Sequence, residues 1–332
     1  MLKKHNKKSF IAIIFILVLL ACIIASVQRG GHASKLTIVV KNGTSLYNIA
    51  NMLKEKGIVY SSNLFVFASL IYGGKLIAGE YELRKDMSTI EIVRKMGRGQ
   101  RNIYVLQIVE GQNIFDVADT IAKNKIMEKT EFLRLAGDKT FLRGLGITSD
   151  SLEGYLSPDT YYYSKEIDTD KFIEKIAQRT LKYFEREDIK KQMAALNYDV
   201  HKTLTLASMI EKEAKMSTEK PLISAVFHNR VLKDMPFDSD PTVIYGTRAF
   251  HSPITKTDLI TYTPYNTYAF KGFPRGPICN PDKNSIMAAL NPAPVDYLYF
   301  VSKNDGTHVF SKDMNEHNRN VGMYQRSKSA KK

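Results

Sequence analysis

Two glutamates stand two residues apart in the run LTLASMIEKEA, Leu204 to Ala214. Apolar residues recur there at helical spacing. At about 100° per residue Glu211 falls between Leu204 and Ala207, with Ala214 one turn beyond. Glu213 falls beside Leu206 and Met209, roughly 160° away in direction, so the two carboxyls cannot serve one substrate together. At most one is catalytic. A carboxyl at the edge of an apolar face loses part of its water, which favours the protonated form and suits a general acid near neutral pH. The alternative is that both glutamates are charges flanking a buried helix. The chain carries no CxxC, no HExxH and no glycine-rich phosphate loop, so no metal and no cofactor are expected.

The elements that must position this helix form the C-terminal half, 151–326, which reads as one mixed α/β domain. Helices are expected over Asp170–Glu187, His201–Lys215, Lys220–Leu232 and Pro281–Leu290, the last with Asn280 as its N-cap and Pro281 in its first turn. Strands at Tyr297–Ser302 and Thr307–Phe310 flank Asn304-Asp305-Gly306, a hairpin signature. Ser311 can cap a closing helix that runs to Gln325, and a basic tail, 327–332, follows.

Upstream, 36–150 contains an internal repeat. Leu36–Val59 reads LTIVVKNGTSLYNIANMLKEKGIV and Ile103–Met127 reads IYVLQIVEGQNIFDVADTIAKNKIM. Aligning Gly43 with Gly111 pairs Leu46 with Ile114, Tyr47 with Phe115, Ile49 with Val117 and Ala50 with Ala118. Each copy is a β-branched strand, a turn glycine and an amphipathic helix. Between them lie a short strand signal at Ala78–Leu83 and a helical one at Ser88–Lys95. The pattern resembles LysM-type modules, which bind N-acetylglucosamine-containing glycans; spacing the C-terminal half from the membrane is the alternative role. The fold class expected is α+β: an N-terminal transmembrane helix, LysM-like strand/helix modules, then the mixed α/β catalytic domain.

Motifs strung along the chain carry a closer resemblance. Leu206–Ala214 closely resembles the signature helix of the YceG-like (MltG-type) endolytic murein transglycosylases. The likeness continues at Val226–Arg230 (VFHNR), Asp238–Gly246 (DSDPTVIYG), Tyr265–Tyr268 (YNTY) and Gly272–Pro281 (GFPRGPICNP). Leu152–Tyr161 (LEGYLSPDTY) resembles the family's entry motif, and Tyr297–Val301 with His308–Phe310 its closing hairpin. Cys279 departs from the small or aliphatic residue expected there.

The resemblance implies a reaction: cleavage of the β-1,4 bond between N-acetylmuramic acid and N-acetylglucosamine within a glycan strand, leaving a 1,6-anhydro end. It assigns the acid/base role to Glu211. Ordinary glycosidases need two carboxyls about 5–5.5 Å or about 6.5–9.5 Å apart. Here the C6 hydroxyl of the sugar is the nucleophile, so one carboxyl suffices. Asp240, Thr242, Tyr245, Asn266, Thr267 and Tyr268 are the candidates for lining the glycan groove, because polar donors and tyrosine rings suit a sugar. For each, a structural role is the alternative; a Ser-Asp-Pro-Thr turn can bond only its own backbone. Glu153, Arg230 and Glu213 are structural or supporting candidates.

The N-terminus sets the expected location. Residues 10–27 carry no charge and are mostly aliphatic or Phe, nearly enough at 1.5 Å per residue to cross a bilayer core of about 30 Å. Lys3, Lys4, Lys7 and Lys8 precede them, so 1–9 is expected in the cytoplasm and the rest, after the linker 28–35, outside the plasma membrane. A cleaved signal peptide is the alternative. Cys22 and Cys279 have no plausible way to pair. The formal net charge of +14 favours polyanions such as anionic lipid or an anionic wall. Nucleic acid is not expected, since no aromatic-basic repeat accompanies the charge and the topology exports the domain. Expected partners are peptidoglycan strands, the plasma membrane and, through the family, peptidoglycan synthases. Two rival functions stand: a non-catalytic peptidoglycan-binding scaffold, and a hydrolase with Glu211 as acid and Asp240 as base.

Overall fold

The computed structural model describes residues 34–326. The expected N-terminus 1–9, membrane anchor 10–27, most of the linker and the tail 327–332 lie outside the described residues. Among the described residues no helix is long and apolar enough to cross a membrane. The chain forms two compact units. The first ends at Val105 and takes back Tyr162–Asp168; the second holds Leu106–Tyr161 and everything from Thr169 onward.

In the first unit, strand β1 (Lys35–Val40) alternates exposed and buried side chains, with Ile38 and Val40 turned inward. Gly43 takes φ +82° in the turn that follows, a conformation a Cβ would disfavour. Ser45 then caps helix α1 (Leu46–Glu55) by accepting from the Asn48 N–H, and the helix buries Ile49, Ala50 and Leu53. Helix α2 (Ser62–Ala68) runs into a single π-type turn, Ser69–Gly73. Strand β2 (Gly79–Arg84) pairs antiparallel with β1, from Lys35 opposite Arg84 to Val40 opposite Gly79. Helix α3 (Thr89–Gly97) starts with a Ser88/Glu91 capping box. Ile38, Leu53, Phe65, Tyr81, Leu83, Ile92 and Met96 form the core.

Strand β3 (Tyr104–Ile108) leads into helix α4 (Ile114–Lys123), capped reciprocally by Asn113 and Asp116. Both copies of the repeat therefore fold as strand, glycine turn and capped helix, Gly111 taking φ +79° where Gly43 takes +82°. They do not share a unit. The sequence division at 150 groups the copies together, whereas packing assigns α4 to the C-terminal unit. The reason lies in the hydrogen bonds: the Ile114 N–H donates to Glu153 Oε2 at 2.8 Å, and the Gly111 N–H to the Asn280 carbonyl at 2.9 Å.

Helices α5 (Lys129–Ala136) and α6 (Lys139–Gly144) follow, then strand β4 (Asp159–Tyr163), the partner of β3. Next come helices α7 (Thr169–Phe184), α8 (Glu187–Leu196), α9 (Val200–Glu213) and α10 (Lys220–Leu232). Two shorter ones, α11 (Asp240–Thr247) and α12 (Lys256–Ile260), precede α13 (Lys283–Leu290). An antiparallel hairpin of β5 (Tyr299–Ser302) and β6 (His308–Ser311) turns through Asn304 and Gly306, both at positive φ, and α14 (Met314–Val321) closes the unit. Among the described residues the architecture is α+β, helices with three two-stranded sheets. Its middle is α9, buried on every side from Thr203 to Ile210 and packed against α10 and α13.

Candidate active site

Helix α9 begins at Asp199, whose side chain accepts from the Lys202 N–H at 2.7 Å, and ends as its carboxylates emerge from the core. Glu211 lies in the last turn with its side chain only 7% exposed. Three donors converge on one of its oxygens, Oε2: Ser285 Oγ at 2.7 Å, the Asp282 backbone N–H at 2.9 Å and Lys220 Nζ at 3.1 Å. Among the described residues Oε1 has no hydrogen-bond partner. With Oε2 occupied as an acceptor, a transferable proton would sit on Oε1.

Each donor has a structural reason to be there. Lys220 opens α10 with a side chain 5% exposed, and its ammonium bridges Glu211 to Asp282 Oδ1 at 2.8 Å. The preceding Glu219 is held by His308 of the hairpin, through the backbone N–H at 2.9 Å and Nδ1 at 2.8 Å. Asp282 caps α13 by accepting from the Ser285 N–H at 2.6 Å. Burial pushes the Asp282 carboxyl up, but the Lys220 ammonium and the Ser285 N–H outweigh it and hold the group below its usual range. The N-terminal dipole of α13 thus meets the Glu211 carboxyl directly. Sequence reading placed this cap two residues too early. Asn280 instead bonds the second repeat's turn, donating to the Gln112 carbonyl through both N–H and Nδ2 and accepting from the Leu156 N–H. That clamp brings Gly111 beside Glu211, whose Cγ would lie 4.0 Å from a Cβ at Gly111.

Glu213 faces elsewhere. Its Oε1 accepts from Ser239 Oγ at 2.7 Å, and burial pushes its pKa up to about 7, with Asp240 adding to the rise and Ser239 and Arg230 opposing it. Tyr268 donates to Asp240 Oδ1 at 2.7 Å beside it, and both remain accessible. Thr242, Asn266 and Thr267 were expected along the groove; the structure corrects this. All three are fully buried. Asn266 Nδ2 donates to the carbonyls of Asp258, Leu259 and Thr261, while Thr242 and Thr267 bond each other and the Ser239 backbone. Their polar atoms are consumed in shaping the 239–267 loops.

Tyr245 is also turned inward, donating to Glu153 Oε2 at 2.8 Å and packing on Tyr265, Phe250 and Phe115. Glu153 itself is buried, and burial pushes it up to about 8 against the Ile114, Tyr245 and Gly154 donors. It is a neutral strut between the start of α4 and α11. Arg230 braces backbone: it donates to the carbonyls of Leu298, Pro236 and Phe237 and to Asp238. The structure thus gathers Lys220, Asp282, Ser285 and Gly111 around Glu211, none of which sequence reading named as a site residue. The only signals were Pro221 at a helix start and an aspartate three residues before a serine, both ordinary capping chemistry.

The arrangement fits the class of enzymes that act through one acid/base carboxyl: Glu211 is held on one oxygen and open on the other at the end of a core helix, with Asp282 joined to it through Lys220. The comparisons agree with that class. A model described as the YceG-like family matches residues 38–323, and the chain belongs to this family. A Bacillus subtilis protein named endolytic murein transglycosylase is 34% identical over 312 residues, covering 89% of this chain and 86% of its own length. A Streptococcus pneumoniae protein of the same name is 26% identical, and the match covers 88% of this chain but 59% of that longer protein. The crystal structure of a putative YceG-like protein from Listeria monocytogenes superposes with a TM-score of 0.60 at 32% identity, covering 86% of this chain and 99% of that one.

Proposed function

We propose that this chain is an endolytic lytic transglycosylase that cuts the β-1,4 bond between N-acetylmuramic acid and N-acetylglucosamine inside peptidoglycan strands. The observation that carries the reading is Glu211, three donors fixing Oε2 while Oε1 is free. Protonated on Oε1, Glu211 gives its proton to the glycosidic oxygen as the C1–O bond breaks. The resulting carboxylate, steadied by Lys220 and the α13 N-terminus, accepts the proton of the muramyl C6 hydroxyl as O6 bonds to C1. Leaving group and anhydro product account for every atom, and the carboxyl is restored. The names of the Bacillus and Streptococcus relatives support the reaction class over a non-catalytic scaffold.

The finer readings rest on sequence. Residues 10–27 anchor the chain in the plasma membrane with the N-terminus cytoplasmic, and β1–α1 and β3–α4 serve as LysM-like glycan contacts. Synthases that extend the strands are the protein partners this location makes available. Mass spectrometry of glycan strands digested by the protein and by Glu211→Gln tests the reaction. Anhydromuramyl ends from the parent and none from the variant are expected. Reducing ends would instead favour a hydrolase with Asp240 activating water.

A further inference from the structure

One face of the first unit is apolar, exposed and used by nothing described above. Phe67, Leu70 and Ile71 recur at i, i+3 and i+4 along α2 and its π-type turn, while Phe65, Ala68 and Ser69 on the other side are buried. Leu70 is 72% exposed and Ile71 55%; Tyr72 and Ile77 extend the patch. Basic groups ring it. The Arg94 guanidinium lies 5.7 Å from the centre of the Tyr72 ring, and Arg101 reaches the Ala78 carbonyl at 3.1 Å. Lys75 and Arg98 are exposed beside them. An apolar face with a cationic rim is the composition of a surface that settles into the boundary between lipid headgroups and acyl chains.

We propose that Phe67, Leu70, Ile71 and Tyr72 seat the first unit on the anionic surface of the membrane that holds the anchor. The proposal rests on the reading of 10–27 as that anchor. From residue 27 to Lys35 the chain has eight steps, a reach of at most ~29 Å. A unit of this size has a radius of gyration of about 12 Å. The tether therefore keeps every face of it within reach of lipid at high local concentration.

The sequence contains no tryptophan, so one introduced tryptophan reports one position. Full-length Leu70→Trp and Tyr60→Trp are reconstituted into vesicles of phosphatidylcholine and phosphatidylglycerol with brominated acyl chains. Tyr60 is a fair reference, since it is 77% exposed and precedes α2, with the eight helical steps from Ser62 to Leu70, ~12 Å, between them. Leu70→Trp emission is expected to shift to the blue and to be quenched several-fold more than Tyr60→Trp, with weaker quenching when phosphatidylglycerol is left out. Ile71→Trp repeats the measurement from the same face. Floated vesicles that carry the protein while Leu70→Trp and Ile71→Trp stay water-exposed, or while Tyr60→Trp is quenched more, overturn the seating but leave the anchor standing. A blue shift without bromine quenching means a second protein copy covers the face, and also overturns it. Protein that fails to float removes the anchor and the proposal with it.

Discussion

Glu211 and Glu213 lie two residues apart at the end of one helix, yet they belong to different chemistries. Burial pushes Glu213 up to about 7, a value usually welcome in a general acid, but its carboxyl is spent on Ser239 Oγ. Glu211 is ordered by three donors that all grip the same oxygen, which leaves the other without a hydrogen-bond partner among the described residues. A proton retained by desolvation is not thereby a proton placed for transfer. Glu153 makes the same point further away: it is pushed up to about 8 and serves as a neutral strut.

Four substitutions test this contrast. Glu211→Gln keeps the shape but removes the transferable proton and one anionic partner of Lys220, so turnover should fall by ~10²–10⁴-fold or more in a protein that still folds by circular dichroism. Retained activity would move the acid elsewhere, and Glu213 would be the first suspect. Lys220→Met strips the shared cation from Glu211 and Asp282 and leaves two enclosed carboxyls side by side. Urea unfolding should show a loss of about 3–5 kcal/mol, together with a sharp drop in strand cleavage. Unchanged stability would mean the ammonium does not organise the site.

Glu153→Gln probes the strut through pH. A carboxyl whose folded pKa is raised stabilises the fold when protonated, and that contribution fades as pH climbs from about 4.5 through about 8. The variant should match the parent near pH 5 and exceed it by a few kcal/mol at pH 9 in thermal melts. Equal pH slopes for the two proteins would show that Glu153 is not held neutral. Glu213→Gln should do least to cleavage, which stays within a few-fold of the parent; its stability should match the parent near pH 5 and exceed it by a few kcal/mol at pH 8, because burial raises Glu213 to about 7. Loss of cleavage without loss of stability there would exchange the roles of the two glutamates.

What could be read in advance was whatever local chemistry decides. The strand–glycine–helix copies, the 220–232 helix and the 304–306 hairpin turn all rest on periodicity and turn residues within a dozen positions. The direction of Glu211 relative to Glu213 follows from helical geometry alone. What escaped depends on distant pairings. Lys220, Asp282 and Ser285 look like a helix start and an ordinary cap until α10 and α13 pack on α9. Thr242, Asn266 and Thr267 look like sugar ligands until the loops close and consume their hydrogen bonds. The boundary at 150 failed because the turn at Gly111 is clamped by Asn280, which no spacing near residue 111 reveals.

That clamp also fixes when the enzyme can begin to exist. Gln112 and Asn280 are 168 residues apart, and two of the three groups that steady Glu211 come from residues 282 and 285. Synthesis runs from the N-terminus at roughly 5–20 residues per second. For several seconds a growing chain holds Glu211 without the lysine-bridged cap, and with the Gly111 turn made but not yet clamped. The site around Glu211 is thus completed only after residue 285 has been made.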